Sequence, residues 1–174
     1  MIKTVLNRDH LETVLSEALE SCRRRLFIAT ANVKDLHVPT GPRRAHSILE
    51  VFEQLSSRGV EIRLLHSGVP SGPLLKRLKQ HVPENFIMRR CLRAHAKAVI
   101  TDGRMMYLGS ANLTGAGLGA KGSRRRNFEA GIWTDELALI DPVADMLDEI
   151  WTGAYCDDCN RKDHCPAPLE EPAL

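Results

Sequence analysis

The chain has 174 residues, 43% of them apolar and 26% charged, with a formal net charge of +2 at pH 7. A chain of this length forms one domain and can bury about 70% of its unfolded surface, so it needs no disulfide scaffold. This composition excludes a disordered chain, a collagen and a disulfide-dense miniprotein. No apolar run approaches the roughly 18 residues of a membrane span, and the N-terminal segment lacks the apolar core of a signal peptide, so we expect a cytoplasmic protein.

The charge is unevenly placed along the chain. Residues 156–174 carry five acids and two bases, a net of −3, so residues 1–155 carry +5. Such local excesses of base are typical of proteins that bind nucleic acid or anionic lipid, although each cluster alone also fits ordinary solvated surface. The basic clusters are Arg23–Arg25, Arg43–Arg44, Lys76–Lys79, Arg89–Arg93 and Arg124–Arg126.

Hydrophobic periodicity predicts helices that alternate with strands. In the first half of the chain, the expected elements are a helix over Leu11–Cys22, a strand over Leu26–Val33, a helix from Pro42 to just before Gly59, a strand over Val60–His66 and a short basic helix over Gly72–His81. They are followed by a strand over Asn85–Cys91, a hairpin over residues 95–110 and a strand over Arg126–Thr134. The last expected element is a helix that is capped by Asp141, has Pro142 at its first position and ends at Gly153. This alternation favours an α/β domain over residues 1–155, followed by a tail of different character over residues 156–174.

The clearest local signal is HAKAVITDGRMMYLGS, in which two β-prone runs flank an Asp-Gly dipeptide at 102–103. This dipeptide is typical of a two-residue hairpin turn, which would set His95 opposite Ser110. Because side chains alternate along a strand, Lys97 would share that face, and Asn112 would follow on it if the strand continues. An imidazole, an ammonium and two hydrogen-bonding side chains suit a phosphate group, although a β-bulge would shift this register.

The same residues resemble a known family signature. The pattern His95-x-Lys97-x4-Asp102, followed by Gly109-Ser110-x-Asn112, resembles the motif of the phospholipase D superfamily. The resemblance continues in the segment RNFEAGIW and covers roughly residues 90–135. It implies a phospholipase D-like α/β sandwich, with a mixed central sheet flanked by helices on both faces.

The resemblance also implies a mechanism. One histidine attacks phosphorus and forms a covalent phosphohistidine, while a second protonates the leaving oxygen and then activates water. His95 would be the nucleophile or the acid, and Lys97 would neutralise charge on the phosphate. Ser110 and Asn112 would hold phosphate oxygens. These roles need no catalytic cofactor.

Two further positions of the pattern belong to the candidate catalytic set. Glu129 would orient the histidine ring through its other nitrogen, with an ordinary surface charge as the alternative. Asp102 lies in the turn, where its expected role is local hydrogen bonding.

The chain holds one copy of the motif, although the mechanism needs two histidines. The other histidines, at positions 10, 37, 46, 66, 81 and 164, lack the H-x-K spacing. The resemblance therefore implies that a second subunit supplies the second His95, as in the small nuclease-type members, in a two-fold homodimer.

These observations lead to one expected function and two alternatives. We expect a metal-independent phosphodiesterase that acts on nucleic acid as an endonuclease. The alternatives are a phospholipid hydrolase or phosphatidyl transferase at a membrane surface, and a catalytically weak nucleic-acid-binding protein. The glycine-rich segment over Leu113–Arg126 is either a mobile basic loop that holds a nucleic-acid backbone or an inert connection.

The five cysteines form an odd number, which argues against a disulfide framework. Cys156-x2-Cys159-x5-Cys165 has the spacing of metal ligands, and Cys91 is the preferred fourth ligand because it precedes His95 by four residues. Zinc is the expected metal, with an iron–sulfur cluster or free thiols as alternatives. Cys22 fits the apolar core.

Overall fold

The computed structural model describes residues 1–41, 44–161 and 165, and its main feature is a seven-stranded sheet. The elements are β1 (Ile2–Leu6), a π-helix (Leu11–Glu17) that runs into α1 (Ala18–Ser21), β2 (Arg25–Thr30), β3 (His37–Gly41), β4 (Arg44–Ser47), α2 (Ile48–Ser56), β5 (Glu61–His66), α3 (Gly72–Gln80), β6 (Phe86–Arg90), β7 (Ala98–Thr101), β8 (Met105–Gly109), β9 (Ala130–Thr134) and α4 (Leu137–Thr152). The strand order in the sheet is β1-β9-β8-β7-β2-β5-β6, and β3 pairs with β4 separately.

The directions of the strands bring several strand ends together on one side of the sheet. β2, β5 and β6 are parallel, whereas β7, β8, β9 and β1 join the sheet by antiparallel pairs. The start of β7 therefore lies beside the end of β2, and the end of β8 and the start of β9 lie next to it. We call this side the carboxyl edge, because it is where the parallel strands end. Ligands of open α/β sheets bind at such an edge.

Apolar side chains cover both faces of the sheet, as the alternation of strand residues requires. On β2, Leu26 and Ile28 join the larger cluster, which also contains buried residues of the π-helix, α1, α2 and α3. Phe27 points the other way and packs against Trp151 of α4, with the ring centroids 5.4 Å apart. The predicted α/β sandwich with helices on both faces is confirmed.

Two helix starts differ from the sequence prediction. The helix expected from Pro42 begins at Ile48, because residues 44–47 form β4 and Ser47 caps the helix by accepting a hydrogen bond from the Leu49 amide at 3.3 Å. Pro42 itself lies outside the described residues. Asp141 does not cap α4, which already begins at Leu137.

The earlier start of α4 has a packing reason. Ile140 is fully buried, so the turn before the proline packs into the core. Pro142 consequently lies inside the helix, where it removes one backbone donor. The end of α4 at Gly153, which has φ of +81°, agrees with the prediction.

The central hairpin has the predicted turn but a shifted register. The residues at 102–103 have positive φ, and the Arg104 amide bonds to the Thr101 carbonyl at 2.9 Å. Thr101 then pairs with Met105, which leaves Arg104 as an extra residue on the second strand. The predicted pairing is therefore wrong by one residue, as a bulge produces.

This shift removes the expected cross-strand pair of His95 and Ser110. The Gly109 amide instead bonds to the carbonyl of Lys97 at 3.1 Å. Continued regular pairing would put residue 110 on the opposite face from residues 95 and 97. The strands stop before that point, so loops beyond their ends position these side chains.

Candidate active site

Five of the six candidate catalytic residues lie at the carboxyl edge of the sheet. His95 and Lys97 lie in the loop before β7, Ser110 and Asn112 follow β8, and Glu129 directly precedes β9. Because the start of β7, the end of β8 and the start of β9 are neighbours, these three loops are adjacent.

The ammonium of Lys97 lies against the ring of His95. Its Nζ donates to the His95 carbonyl at 2.8 Å and lies 3.1 Å from Nδ1 and 3.3 Å from Nε2. Burial lowers the pKa of Lys97, and the negative charge of Glu129 partly opposes this shift. His95 is exposed, so the ring and the ammonium form an accessible pair.

Glu129 is held by neighbours other than His95. The Ser110 hydroxyl donates to its carboxylate, and Asn127 Nδ2 donates to Oε1 at 2.9 Å. The Ala130 amide in turn donates to Ser110 Oγ at 3.1 Å. Within the part of the chain that the structure describes, no carboxylate reaches the His95 ring, so the expected contact of Glu129 with that ring is not formed in one chain.

Asn112 has a fixed orientation. Its Oδ1 accepts a hydrogen bond from the Asn32 amide at 2.9 Å and lies 3.3 Å from the Thr30 hydroxyl, which donates to the Asn32 carbonyl at 2.8 Å. The Thr30 hydroxyl also accepts from the Leu113 amide at 3.0 Å. Because the oxygen is occupied, the half-buried side chain presents its NH₂ group as a donor for an anion.

A buried pair beneath these loops carries no signal in the sequence pattern. The hydroxyl of Tyr107 lies 2.9 Å from His10 Nε2, and His10 Nδ1 lies 2.8 Å from the Asn7 carbonyl. Since Nδ1 faces an acceptor, it carries the ring hydrogen and Nε2 accepts from Tyr107. Burial lowers the pKa of His10 and raises the pKa of Tyr107 to about 12, so both groups are neutral.

Tyr107 also supports the segment that carries Ser110 and Asn112. Its hydroxyl oxygen accepts from the Ala111 amide at 3.1 Å. A Cβ on Gly109 would lie 2.3 Å from that oxygen, and one on Gly131 would lie 2.4 Å from the ring. Only glycine therefore fits at these two facing positions, which explains the glycine of the Gly-Ser pair in physical terms.

Sequence comparison identifies the family. Residues 15–151 match the family model described as "Cardiolipin synthase, PLD-like domain". The chain belongs to the phospholipase D superfamily. No match is found among curated protein sequences.

Solved structures share the fold of this chain. NucT from Helicobacter pylori superposes with a TM-score of 0.62 at 17% identity, covering 86% of this chain and 94% of NucT. Nuc from Salmonella typhimurium, described as a phospholipase D family member, superposes with a TM-score of 0.63 at 14% identity, covering 87% and 94%. TrmBL2, described as an archaeal chromatin protein with a novel mode of DNA binding, gives 0.53 at 14% identity, over 87% of this chain and 52% of its own.

Asp102, although part of the phospholipase D motif, lies at the opposite end of β7 from His95. Its carboxylate accepts the backbone amides of Arg23, Arg24 and Arg25 at 2.8–2.9 Å, and so holds the start of β2. Burial alone would raise the pKa of Asp102, but these amides outweigh it and the pKa is lowered. In one chain Asp102 therefore anchors the start of β2 by long-range bonds, whereas its position in the turn predicted hydrogen bonding within the turn itself.

The other described histidines do not complete a phospholipase D site within one chain. His10 and His66 are buried and bond to backbone carbonyls through Nδ1. His46 pairs with Glu50 at 2.6 Å and His81 with Glu53 at 3.1 Å. The remaining two are on β3, at position 37, and at position 164, which lies outside the described residues.

The predicted metal ligands come near one another but are not arranged as a formed site. Cys91, Cys156 and Cys159 line one cavity. Over residues 1–41, 44–161 and 165, no three Cys, His, Asp or Glu side chains are close enough to hold a metal ion. The rest of the tail, 162–164 and 166–174, lies outside the described residues. Within the described ranges, no helix combines the length and apolar character that crossing a bilayer requires.

Proposed function

We propose that this protein is a metal-independent phosphodiesterase that cleaves nucleic acid as an endonuclease. The observation that carries the proposal is the contact between the Lys97 ammonium and the exposed His95 ring at the carboxyl edge. A nucleophilic nitrogen and a fixed cation at hydrogen-bond distance are what attack on an anionic phosphodiester requires.

The reaction proceeds in two displacements at phosphorus. A ring nitrogen of His95 forms a P–N bond as the P–O bond to the leaving group breaks, and a second histidine gives its proton to the leaving oxygen. That second histidine then takes a proton from water, whose oxygen attacks phosphorus and breaks the P–N bond. Net hydrolysis consumes one water and regenerates both rings.

The charge of the transition state is met by protein groups. Lys97 supplies a positive charge and Asn112 supplies an NH₂ donor whose direction is set by Thr30 and Asn32. Glu129 is engaged by Ser110 and Asn127. Lys97 and Asn112 thus provide electrostatic stabilisation without a divalent cation.

The second histidine comes from a second copy of the chain. The histidines at positions 10, 46, 66 and 81 are buried or paired elsewhere. A two-fold axis at the carboxyl edge would bring both copies of His95 to one phosphate. We therefore propose one composite site per dimer.

Two features beside the site support nucleic acid as the substrate. Phe128, next to Glu129, is 97% exposed, and an exposed aromatic ring is a platform on which a base can stack. Arg124 and Arg125, on the loop that leads to it, are also exposed and suit a phosphate backbone.

The test offers labelled DNA, RNA and phospholipid vesicles in parallel, with EDTA present and the melting temperature checked in the same buffer. We expect cleavage of nucleic acid, and a loss of about a thousandfold or more in His95→Ala, or roughly 4 kcal/mol of barrier. The control is His81→Ala, since this exposed ring pairs with Glu53 away from the site. An alkaline quench and mass spectrometry should find one fragment of the cleaved nucleic acid joined through its phosphorus to His95.

Three outcomes contradict the proposal. Cleavage that depends on added Mg²⁺ would remove the metal-independent mechanism. More than about a tenth of the activity left in His95→Ala, only about 1.4 kcal/mol of barrier, would remove the nucleophile. Hydrolysis of phospholipid alone would move the substrate to the lipid class.

A further inference from the structure

Two consecutive turns after α4 place two cysteines against a cavity beside that helix. The Cys156 amide bonds to the Gly153 carbonyl at 2.9 Å, and the Cys159 amide bonds to the Cys156 carbonyl at 3.2 Å. Both cysteines line a cavity of about 200 Å³ between this turn, α4 and the loop after β6. A tight C-x2-C turn of this kind lets two sulfurs approach one ion.

Cys91, in the loop that leads to His95, lines the same cavity. Its amide bonds to the His66 carbonyl at 2.9 Å, and its carbonyl accepts from the Ala94 amide at 2.9 Å. Cys91 is therefore fixed on the end of β6, four residues before His95.

Cys165 is the fourth candidate ligand. The thiols of Cys91, Cys165 and Cys159 all act electrostatically on Cys156, so each of these three cysteines lies near Cys156.

We propose that Cys91, Cys156, Cys159 and Cys165 bind one zinc ion in a structural site. Four thiolates complete the tetrahedral coordination of zinc and leave no position for substrate or water. Three of these cysteines line the cavity, and the sulfurs do not stand at coordination distance in the described residues, so metal binding would draw them together.

Nearby donors suit the negative charge of such a site. The Arg161 amide and the Arg93 side chain donate hydrogen bonds to Cys159, and Arg93 also lines the cavity. Four thiolates around Zn²⁺ carry a net charge of −2, which N–H donors and a guanidinium offset. A disulfide would involve only two of the four cysteines, whereas a zinc site would involve all four.

The site would join the tail to the catalytic loop. Zinc binding supplies ordering free energy to a segment that has little apolar surface of its own. Through Cys91 and Ala94 it would also restrain the backbone that leads to His95. The metal is then structural, and its removal affects the chemistry only through the fold.

The deciding experiment measures metal in the full chain, purified without chelators. We expect about one zinc per chain, and an X-ray absorption spectrum with four sulfurs at about 2.3 Å. Cys156→Ser and Cys159→Ser should lose the zinc, whereas Cys22→Ala should keep it, because Cys22 is buried beside Asp102. A chelator strong enough to strip the wild-type protein should lower its melting temperature and make four further thiols reactive.

This measurement does not depend on catalysis, so it stands apart from the proposed nuclease activity. The wild-type readings keep the test valid even if the serine variants fail to fold. Iron with visible absorbance after anaerobic purification would show that the cysteines hold an iron–sulfur cluster and not zinc. A disulfide among the four cysteines, or no metal with Cys91, Cys156, Cys159 and Cys165 all reactive in the native protein, would overturn the site.

Discussion

The Ser110 hydroxyl donates to the Glu129 carboxylate, so the serine of the motif and the acid before β9 form one unit. Asn7 fixes the backbone of that acid from the other side, because its amide donates to the Glu129 carbonyl at 2.9 Å and its side chain accepts from the Glu129 amide at 3.2 Å. The carboxylate is thus held where its charge raises the pKa of Lys97.

Replacement of Glu129 should therefore change the pH dependence of the reaction. Glu129→Gln keeps the size of the side chain but removes the charge that opposes the lowered pKa of Lys97. The ammonium should then deprotonate at lower pH, so the alkaline limb of kcat/KM should move to lower pH. The matched control is Glu84→Gln on an exposed surface. An unmoved limb, or one at higher pH, would show that Glu129 does not act on Lys97.

The glycine of the Gly-Ser pair should be intolerant of a methyl group. Gly109→Ala would place Cβ 2.3 Å from the Tyr107 hydroxyl and 2.6 Å from the Ala130 carbonyl, so the strand or the ring must move. We expect a loss of about 1–3 kcal/mol in the free energy of unfolding, measured with urea. Gly72→Ala is the matched control, because a Cβ there meets no atom within 4 Å. Equal stability of the two variants would contradict this packing.

The hairpin shows what sequence reasoning captures and what it misses. The Asp-Gly dipeptide predicted the turn because both residues tolerate positive φ. The bulge at Arg104 was missed because the dipeptide marks the turn but does not specify the residue at which pairing resumes. The candidate residues still come together, but loops beyond the strand ends bring them there and not the cross-strand pairs of the predicted register.

Other misses have similar causes. In β1 only Val5 is buried, so its apolar pattern is too weak to mark a strand. The pair of Tyr107 and His10 is separated by 97 residues in sequence, and it meets only after β1 and β8 have joined β9. Motif spacing thus identified residues that the fold brings together at the carboxyl edge, but not the buried groups that support them.

Asp102 should contribute to stability rather than to chemistry. Asp102→Asn weakens the bonds from three backbone amides, so we expect a loss of about 2 kcal/mol in the free energy of unfolding, with kcat unchanged for the folded protein. The exposed Asp145→Asn is the matched control. A large fall in kcat without loss of stability would assign Asp102 to the chemistry.

The contribution of Asp102 should also depend on pH in a defined direction. Its pKa is lowered in the folded state, so the stabilisation is complete above the unfolded value of about 3.9. It is lost as pH falls through the lower folded value. The difference between wild type and Asp102→Asn should therefore be constant near neutral pH and shrink below about pH 4. A difference that grows on acidification would contradict this account.

Phe128 should act on substrate binding. Phe128→Ala removes an aromatic surface that is 97% exposed, and stacking of a base contributes about 1–3 kcal/mol, so KM for nucleic acid should rise about 5- to 150-fold. Hydrolysis of a small phosphodiester without bases should be unchanged. Val69→Ala, at a site that is 68% exposed, is the matched control. An equal loss of activity on both substrates would show that Phe128 supports the structure of the site and does not stack on a base.

The composite site makes a quantitative prediction for mixed dimers. Wild-type and His95→Ala chains, mixed equally and allowed to exchange, pair at random, so about a quarter of the dimers contain two wild-type chains. If both copies of His95 serve one phosphate, the mixture should have about a quarter of the activity of wild-type protein at the same total chain concentration. Independent sites would leave about half of that activity. His81→Ala chains in the same mixture should leave activity unchanged, since this ring pairs with Glu53. Light scattering that finds a fully active monomer would exclude the composite site, because one chain would then perform both proton transfers.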